Sequence, residues 1–379
     1  SKGALNEAGG REYLASLTRV VPTHAHISQY AEIIKEKSVA RELINVSTST
    51  IQNVHQGDLG DINTILDRAE QDIFKIASKS SGAYDLQQIG PVVKTYIEKV
   101  YAKRDSNELD YLLSGYKELD DLISGFQKSD LIIIAGRPSM GKTAFAMNVA
   151  QHMVFKQKKR VGFFSLEMSS EAIALRMLSS LSSVSQQNIR TGDYEKKAGE
   201  TTAVTSAIEL MNDCEFYVDD TAGISPMELR SKARRLKRGS GIDVIIVDYL
   251  QLMSIPKFSE NRVNEIGEVT RALKALAKEL DVPVIALSQL NRGVESRQDK
   301  RPFLSDLRES GSIEQDADLI TFLYRDEVYN DDSKFKNMAE VIVAKHRNGP
   351  IGTINLTWIP HSTTFQDYHP QVYSDGVVN

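Results

Sequence analysis

Residues 136–143 of this chain combine glycines, a lysine and a hydroxyl residue at the spacing of a phosphate-binding loop. They read Gly-Arg-Pro-Ser-Met-Gly-Lys-Thr and fit the pattern G-x-x-x-x-G-K-[ST]. Glycines allow backbone N–H groups to turn toward phosphates, and the N-terminus of a following helix adds positive potential. In this chemistry Lys142 reaches the β- and γ-phosphates while the Thr143 hydroxyl ligates Mg²⁺. The residues expected to bind ATP and Mg²⁺ are Gly136, Ser139, Gly141, Lys142 and Thr143.

The segments on either side of the loop have the pattern that this chemistry requires. An apolar run at residues 131–135 leads into the loop, and an apolar-rich helical stretch at residues 143–155 leaves it. A glycine-rich structural turn is the alternative interpretation. The strand–loop–helix order favours a nucleotide site over such a turn.

The metal side of the site also needs a carboxylate, and Asp248 is the best candidate. It ends a predicted buried strand that follows Asp243. Ligands of open parallel sheets bind at the carboxyl ends of the strands, and Asp243 lies at the opposite end. We therefore expect Asp248 to hold Mg²⁺ together with Thr143. An ordinary aspartate at a strand end is the alternative.

Two further polar residues follow apolar runs and are expected at the same edge of the sheet. Glu167 follows the run at residues 161–166, and Gln289 follows the run at residues 282–287. Glu167 could orient and deprotonate the attacking water, or it could cap the next helix, and the residues alone favour neither. Gln289 could sense the γ-phosphate, although its type and position also suit an ordinary residue at a strand end.

Lys345 and Arg347 lie two positions apart at the end of another predicted strand. Residues at this spacing point to the same face of a strand. Neither is needed as the cation of its own phosphate loop, because Lys142 already fills that position. By themselves the two residues are typical of a basic surface edge.

Three other segments carry basic residues that could contact nucleic acid. Residues 308–312 mix an arginine with glycine and serine, which could offer N–H groups to phosphates, but the segment by itself is more simply a loop. The basic stretch at residues 232–238 is better interpreted as the solvated face of a helix than as a DNA-binding patch. Residues 291–302 are expected to form a mobile loop.

Apolar runs alternate with helical stretches from about residue 109 onward. Short apolar strands between helices are typical of an α/β fold, with a parallel-rich sheet covered by helices on both faces. We expect one such domain at residues 109–370, followed by a tail at residues 371–379. The predicted strands are residues 131–135, 161–166, 244–247, 282–287, 319–323, 341–344 and 354–358.

The N-terminal part has helical periodicity. One helix is predicted at residues 28–55 and a second along an apolar stripe from Ile62 to Ile76, joined by a turn at residues 57–61 into an antiparallel hairpin. Two main helices make a thin core. We therefore expect residues 1–80 to be a partial helical domain or to pack on a partner.

A polar break at residues 78–82 opens a linker at residues 81–108. Val93, Ile97 and Tyr101 lie on one face of a predicted helix that begins near Pro91. One short amphipathic helix has no core of its own. Its apolar face must dock, either on its own domain or on a neighbouring subunit.

Composition narrows the class of protein. The net charge of −5 argues against a surface that is basic all over, so nucleic acid would have to bind in a local groove or a shared channel. The single cysteine, Cys214, excludes an internal disulfide and a cysteine zinc cluster. No apolar run approaches the ~20 residues of a membrane span, and we expect a cytoplasmic protein without a membrane partner. The chain does not begin with Met, which suggests a fragment.

Many of these motifs resemble those of the DnaB-type replicative DNA helicases, whose ATPase core is RecA-like. The resemblance extends to about Asp367, and the chain begins partway into the family's N-terminal helical domain. Ser114, where the family often has threonine, is a minor departure. The most specific matches are DLRESGSIEQDAD at residues 306–318 and KHRNGP at residues 345–350. Further matches are residues 9–14, 21–23, 113–120, 136–143, 165–168, 248–253 and 287–292.

The resemblance implies a homohexameric ring with ATP bound between adjacent subunits. Arg347 then matches an arginine finger supplied in trans, with Lys345 as its companion at the neighbour's γ-phosphate. The helix that contains Val93 would dock on the adjacent subunit. The residues that match the family's DNA-binding channel loop are Arg308, Glu309 and Gly311.

The resemblance also implies a function and partners. It implies ATP-driven movement along single-stranded DNA in the 5′→3′ direction, unwinding at the replication fork of the nucleoid, and partnership with primase and a helicase loader. A RecA-like recombinase and a clock-type ATPase share the core and are the alternatives, but the helical N-terminal part and residues 306–318 disfavour both. A GTPase would need an N-K-x-D motif, which the sequence lacks.

Overall fold

The computed structural model describes residues 27–55, 65, 68–69, 72–73, 76, 88–106, 111–255, 262–307 and 311–369. The chain divides into two compact units, Ser1–Asn107 and Glu108–Asn379. Within the described residues, no helix has the length and apolar character needed to cross a membrane.

The described part of the first unit is helical. Helix α1 is Ile27–His55 and helix α2 is Ile89–Ser106. The helices predicted at residues 28–55 and near Pro91 are therefore confirmed. In the predicted stripe from Ile62 to Ile76, the described positions are helical, whereas the turn at residues 57–61 lies outside the described residues. Helix α2 leaves several large apolar side chains exposed, namely Ile89, Val92, Val93, Ile97 and Tyr101.

The second unit alternates strands and helices, as its sequence predicts. Its helices are α3 (Lys117–Ile123), α4 (Lys142–Gln151), α5 (Ser170–Ser182), α6 (Gln186–Thr191), α7 (Ala198–Asn212), α8 (Pro226–Arg238), α9 (Arg262–Leu280) and α10 (Gly311–Asp316). Its strands are β1 (Leu131–Gly136), β2 (Val161–Ser165), β3 (Phe216–Asp219), β4 (Val244–Asp248), β5 (Val284–Gln289), β6 (Leu319–Tyr324), β7 (Met338–His346), β8 (Gly352–Ile359) and β9 (Thr364–Asp367).

The strands form one sheet in the order β3-β2-β4-β5-β1-β6-β7-β8-β9. The first six in this order are parallel, whereas β7, β8 and β9 extend the sheet in antiparallel orientation. The antiparallel part follows from its connections, because residues 347–351 and 360–363 are too short for a crossover. All seven predicted strands are present. The strand predicted at residues 282–287 begins later, after Pro283.

Helices cover both faces of the sheet and bury two apolar clusters. Alternate residues of a strand point to opposite faces. Ile132 therefore packs in one cluster with Phe145 of α4, and Ile133 packs in the other with Leu273 of α9. The sheet is packed between these two layers, which position the residues at its edges.

Candidate active site

The phosphate-binding loop connects the end of β1 to the start of α4. Gly141 has a φ of +94°, and an added Cβ would lie 2.8 Å from Cζ of Phe365, so both conformation and space require glycine there. Gly136 is also crowded, because its added Cβ would lie 3.1 Å from the carbonyl oxygen of Leu323. The loop therefore lies between α4 and the ends of neighbouring strands.

Thr143 and Asp248 are in direct contact. The Thr143 hydroxyl donates a hydrogen bond of 2.7 Å to Oδ2 of Asp248, whose residue is only 1% exposed. Burial raises the pKa of the Asp248 carboxyl, and the charge of Glu167 adds to the rise, while the hydrogen bond from Thr143 opposes it. Asp243, at the other end of β4, instead pairs with Arg160 at 2.9 Å.

Lys142 begins α4, and its ammonium group turns back over the loop. Its Nζ donates a hydrogen bond of 3.2 Å to the carbonyl oxygen of Arg137. Burial lowers the pKa of Lys142 to about 8, although the nearby carboxylates of Asp248 and Glu167 favour its charged form. A half-buried cation that donates to a carbonyl oxygen of its own loop is suited to an anionic ligand such as a phosphate.

The strand ends bring the other predicted residues to the same place. Ser165 at the end of β2 is in register with Asp248, and Gln289 at the end of β5 is in register with Gly136. Glu167 follows two residues after Ser165. Glu167, Gln289, Asp248 and the loop residues Ser139, Gly141, Lys142 and Thr143 all line one cavity of about 470 Å³.

The local contacts bear on the alternative role of Glu167. Helix α5 is capped by Ser169, whose side chain accepts from the N–H of Ala172 at 3.3 Å. Glu167 is therefore not the residue that caps this helix, and its side chain is exposed in the cavity. Gln289 is fixed through its backbone, because Gln251 accepts from its N–H at 3.2 Å and donates to its carbonyl oxygen at 3.1 Å.

The donor set at Thr143 and Asp248 fits Mg²⁺. This ion prefers oxygen ligands and usually binds through one or two protein groups, with water and phosphate oxygens completing the shell. A hydroxyl and a buried carboxylate 2.7 Å apart provide such a pair. Among the residues that the structure describes, no group of three or more histidines, cysteines and carboxylates lies close enough to hold a metal ion.

Several residues of the cavity were not singled out from the sequence. They are Arg176, Tyr249, Trp358 and Thr363. Tyr249 follows Asp248 directly, but Arg176 belongs to α5, Trp358 to β8 and Thr363 to the turn before β9, so their approach depends on tertiary structure. The positive charge of Arg176, which lines the same cavity, opposes the rise in the pKa of Asp248 that burial causes.

Two arginines brace the loop from outside the cavity. Arg137 is 7% exposed and donates to the carbonyl oxygen of Leu290 at 2.9 Å and to Glu295 at 2.7 Å. Arg325 donates to the carbonyl oxygen of Ser139 at 3.2 Å. These contacts tie the loop to the segments that follow β5 and β6.

Lys345 and Arg347 lie at the opposite edge of the sheet from the cavity. Arg347 donates through its backbone N–H to Asp318, which precedes β6 and contacts Leu131 at the start of β1. The phosphate-binding loop follows the other end of β1, and a strand of this length at about 3.3 Å per residue separates the two edges by roughly 16 Å. The two cations share a face, because both contact residues 314–318.

Of the three predicted DNA-contact residues, the structure describes Gly311. Arg308 and Glu309 lie outside the described residues. Gly311 is exposed and begins α10.

Some of the cations in the other basic segments pair with neighbouring carboxylates. In α8, Arg230 and Arg234 both pair with Glu279, which favours the interpretation of this stretch as a helix face. Residues 291–302, predicted as a mobile loop, contain a short helical turn at Arg292–Ser296. Two of their arginines form ion pairs, Arg297 with Asp306 and Arg301 with Glu340, which fix the segment to the domain.

Comparison with known families gives matches over both parts of the chain. Residues 112–367 match the DnaB-like helicase C terminal domain, and residues 1–36 match the DnaB-like helicase N terminal domain. The replicative DNA helicase DnaB of Geobacillus stearothermophilus is 46% identical over 95% of this chain and 79% of its own length. That of Haemophilus influenzae is 46% identical over 98% of this chain and 80% of its own length.

Solved structures agree with these matches. One of them, an isolated ATPase domain, is 40% identical, with a TM-score of 0.71, over 75% of this chain and 100% of that domain. A DnaB-like replicative helicase, described with its interactions with primase, is 35% identical, with a TM-score of 0.75, over 97% of this chain and 85% of that one. The chain therefore belongs to the DnaB-like family of replicative DNA helicases.

Proposed function

We propose that this chain is one subunit of a homohexameric helicase ring and that it hydrolyses ATP at a site completed by its neighbour. One observation carries the proposal. Lys142, Thr143, Asp248 and Glu167 line a single cavity, whereas Arg347 lies at the opposite edge of the sheet.

The cavity binds ATP through the phosphate loop. Gly136, Ser139 and Gly141 shape the backbone cradle, and Lys142 contacts the β- and γ-phosphates. Thr143 and Asp248 hold Mg²⁺, which neutralises charge on the phosphate oxygens. Because phosphates stabilise the charged form of Lys142, nucleotide binding raises the lowered pKa of this residue again.

Glu167 orients the attacking water and accepts its proton. Its position beyond β2 faces it toward the phosphate loop, and its exposure leaves room for a water molecule. Gln289 contacts the γ-phosphate side of the cavity. Its backbone N–H donates to the side chain of Gln251, and through this contact the presence or loss of the γ-phosphate is transmitted to Gln251.

Arg347 and Lys345 act on the ATP of the adjacent subunit. The two edges of the sheet lie roughly 16 Å apart along β1, so these cations do not reach the phosphate loop of their own chain. In a head-to-tail ring, that edge of one domain faces the cavity of the next. Arg347 there neutralises charge that develops in the transition state, and Lys345 accompanies it at the γ-phosphate.

Single-stranded DNA passes through the centre of the ring. Arg308, Glu309 and Gly311 of each subunit line this channel, so six copies of Arg308 and of the loop's backbone N–H groups offer a series of phosphate contacts in a chain whose net charge is −5. Hydrolysis around the ring moves these contacts along one strand in the 5′→3′ direction and excludes the other strand.

The partners follow from the family and from the apolar face of α2. Its exposed side chains, such as Val93 and Ile97, dock on the adjacent subunit. Primase and a helicase loader bind the ring at the replication fork, on the nucleoid. The solved relative described with its interactions with primase supports the first of these partners.

Mixing two inactive variants tests the shared site. Glu167→Gln retains ATP binding but loses turnover, because an amide is a very poor base. Arg347→Ala loses turnover because a finger supplied in trans contributes about 10³–10⁵ in rate. Some interfaces of a mixed ring combine the intact Glu167 of one variant with the intact Arg347 of the other, and these should hydrolyse ATP.

The mixture is interpretable only if subunits exchange, which energy transfer between labelled subunits measures independently. With exchange established, recovered ATPase activity supports a site formed by two chains. If the mixture is no more active than its components, Arg347 acts within its own chain and the proposal is wrong.

A further inference from the structure

The two cations assigned to the neighbour's phosphates are held by one short segment of their own chain. Lys345 donates to the carbonyl oxygens of Glu314 and Ala317, the latter at 2.7 Å. Arg347 donates through Nη2 to the carbonyl oxygen of Gln315 at 2.7 Å. These carbonyls lie at the C-terminal end of α10 and just beyond it, where unpaired oxygens attract cations. We call residues 314–318 the cation dock.

Asp318 supplies the negative charge of the cation dock. Its side chain is 6% exposed, and Oδ1 lies 3.3 Å from Nη1 of Arg347. The other carboxylate oxygen accepts from the N–H of Leu131 at 2.8 Å and from Lys274 of α9. The carboxylate is therefore fixed on one side by the first residue of β1 and by a lysine, and it presents its remaining oxygen to the arginine.

This arrangement orients the guanidinium group without covering it. Arg347 remains 47% exposed at its side chain although Nη1 and Nη2 both have partners on the cation dock. A long side chain held at two points loses little further freedom when it meets a phosphate. The backbone is held as well, because the N–H of Arg347 donates to the carbonyl oxygen of Asp318 at 2.9 Å.

We propose that Asp318 is a positioning residue for ATP hydrolysis, which aims Arg347 at the site of the neighbouring subunit. The inference rests on the proposed role of Arg347 in trans. Its consequence is directional. Loss of Asp318 should damage the finger that a subunit supplies to its neighbour and leave intact the cavity in which the same subunit binds ATP.

A second acid–arginine pair at the same edge of the sheet provides a matched control. Asp243, before β4, accepts from the backbone N–H of Arg160 and from its Nε, both at 2.9 Å. Like Asp318, it therefore joins a strand start to an arginine. It has no contact with the cation dock in the described structure, so Asp243→Asn reports the cost of losing such a pair without affecting Arg347.

The test compares three mixtures of ring-forming variants, after subunit exchange has been verified. Asp318→Asn alone should keep ATP affinity and lose about 10²-fold in kcat, the effect of a misplacement near 1 Å. Mixed with Glu167→Gln, it should recover activity, because its intact cavity meets a correctly held Arg347. Mixed with Arg347→Ala, it should recover nothing, because no interface contains a correctly held finger. The third mixture, Glu167→Gln with Arg347→Ala, is the reference for the shared site.

The outcomes distinguish failure of the proposed role of Asp318 from failure of the proposed shared site. Failure of the reference mixture overturns the shared site and the role of Asp318 with it. If the reference recovers but Asp318→Asn with Glu167→Gln does not, or if Asp318→Asn alone keeps the parent kcat, only the role of Asp318 is overturned. Asp243→Asn should keep the parent kcat, and an equal loss there would also count against Asp318. Should Asp318→Asn not fold, Asp318→Glu retains the charge, displaces it by one bond, and should give the same pattern.

Discussion

The hydroxyl of Thr143 and the carboxylate of Asp248 lie 2.7 Å apart although 105 positions separate them in the chain. The contact joins the first turn of α4 to the end of β4. Two of the oxygen ligands proposed for Mg²⁺ are thus brought together by the fold of the chain.

Replacing Asp248 by asparagine should remove the metal-dependent part of catalysis. The amide keeps the size of the side chain but lacks the charge that attracts Mg²⁺. The activation free energy should therefore rise by several kcal/mol, so that turnover falls roughly 10²–10³-fold. The measurement is ATPase rate against Mg²⁺ concentration. Asp243→Asn is the control at the other end of the same strand, and an unchanged Mg²⁺ dependence in Asp248→Asn would remove this residue from the metal site.

Lys142→Met should stabilise the nucleotide-free protein at neutral pH. The pKa of Lys142 is lowered from 10.5 to about 8 by burial, so between these values the unfolded chain binds more protons than the folded one. The charged lysine therefore costs stability below about pH 8, on the order of 3 kcal/mol, and this cost declines as the pH rises toward 10.5. Denaturation at a series of pH values should show a gain for Lys142→Met at pH 7 that shrinks above pH 8.

ATP should reverse the order of stability of these two proteins. Phosphates stabilise the charged lysine, so nucleotide should raise the melting temperature of the parent, whereas Lys142→Met should show little response and no hydrolysis. If Lys142→Met is less stable than the parent at pH 7 without nucleotide, burial of the charged lysine does not cost the folded protein stability.

Arg308→Ala should weaken binding to single-stranded DNA to a similar extent for all sequences. Loss of a phosphate contact also lowers the steepness of the salt dependence, by about one unit per cation removed. Arg238→Ala, at the exposed end of α8, is the control for a basic residue outside the channel. DNA affinity measured at several salt concentrations distinguishes them, and equal effects of the two changes would favour a contact surface on α8.

The sequence predicts which residues lie together at the edge of the sheet, because these residues follow the ends of buried strands. Asp248, Glu167 and Gln289 each follow an apolar run, and parallel strands bring such ends to one edge. Strands β3 and β9 were missed, since each has only four residues and neither forms a fully buried run. The contacts of Asp318 were not predictable, because the one with Lys274 joins residues 44 positions apart on different elements.

In the proposed mechanism, movement along DNA requires both the ATP site and the DNA contacts. Two forked DNA substrates with the same duplex measure it, one with a bulky block on the strand that carries the 5′ tail and one with the block on the strand that carries the 3′ tail. Glu167→Gln and Lys142→Met serve as controls that lack hydrolysis.

Strand displacement on these two substrates, with ATP and Mg²⁺, tests the central claim most directly. If ATP hydrolysis drives the ring 5′→3′ along one strand, a block on the 5′-tailed strand should stop unwinding, and the same block on the excluded strand should not. Neither control should unwind either substrate. Unwinding that is stopped only by the block on the 3′-tailed strand, or that proceeds equally in Lys142→Met, would contradict the account.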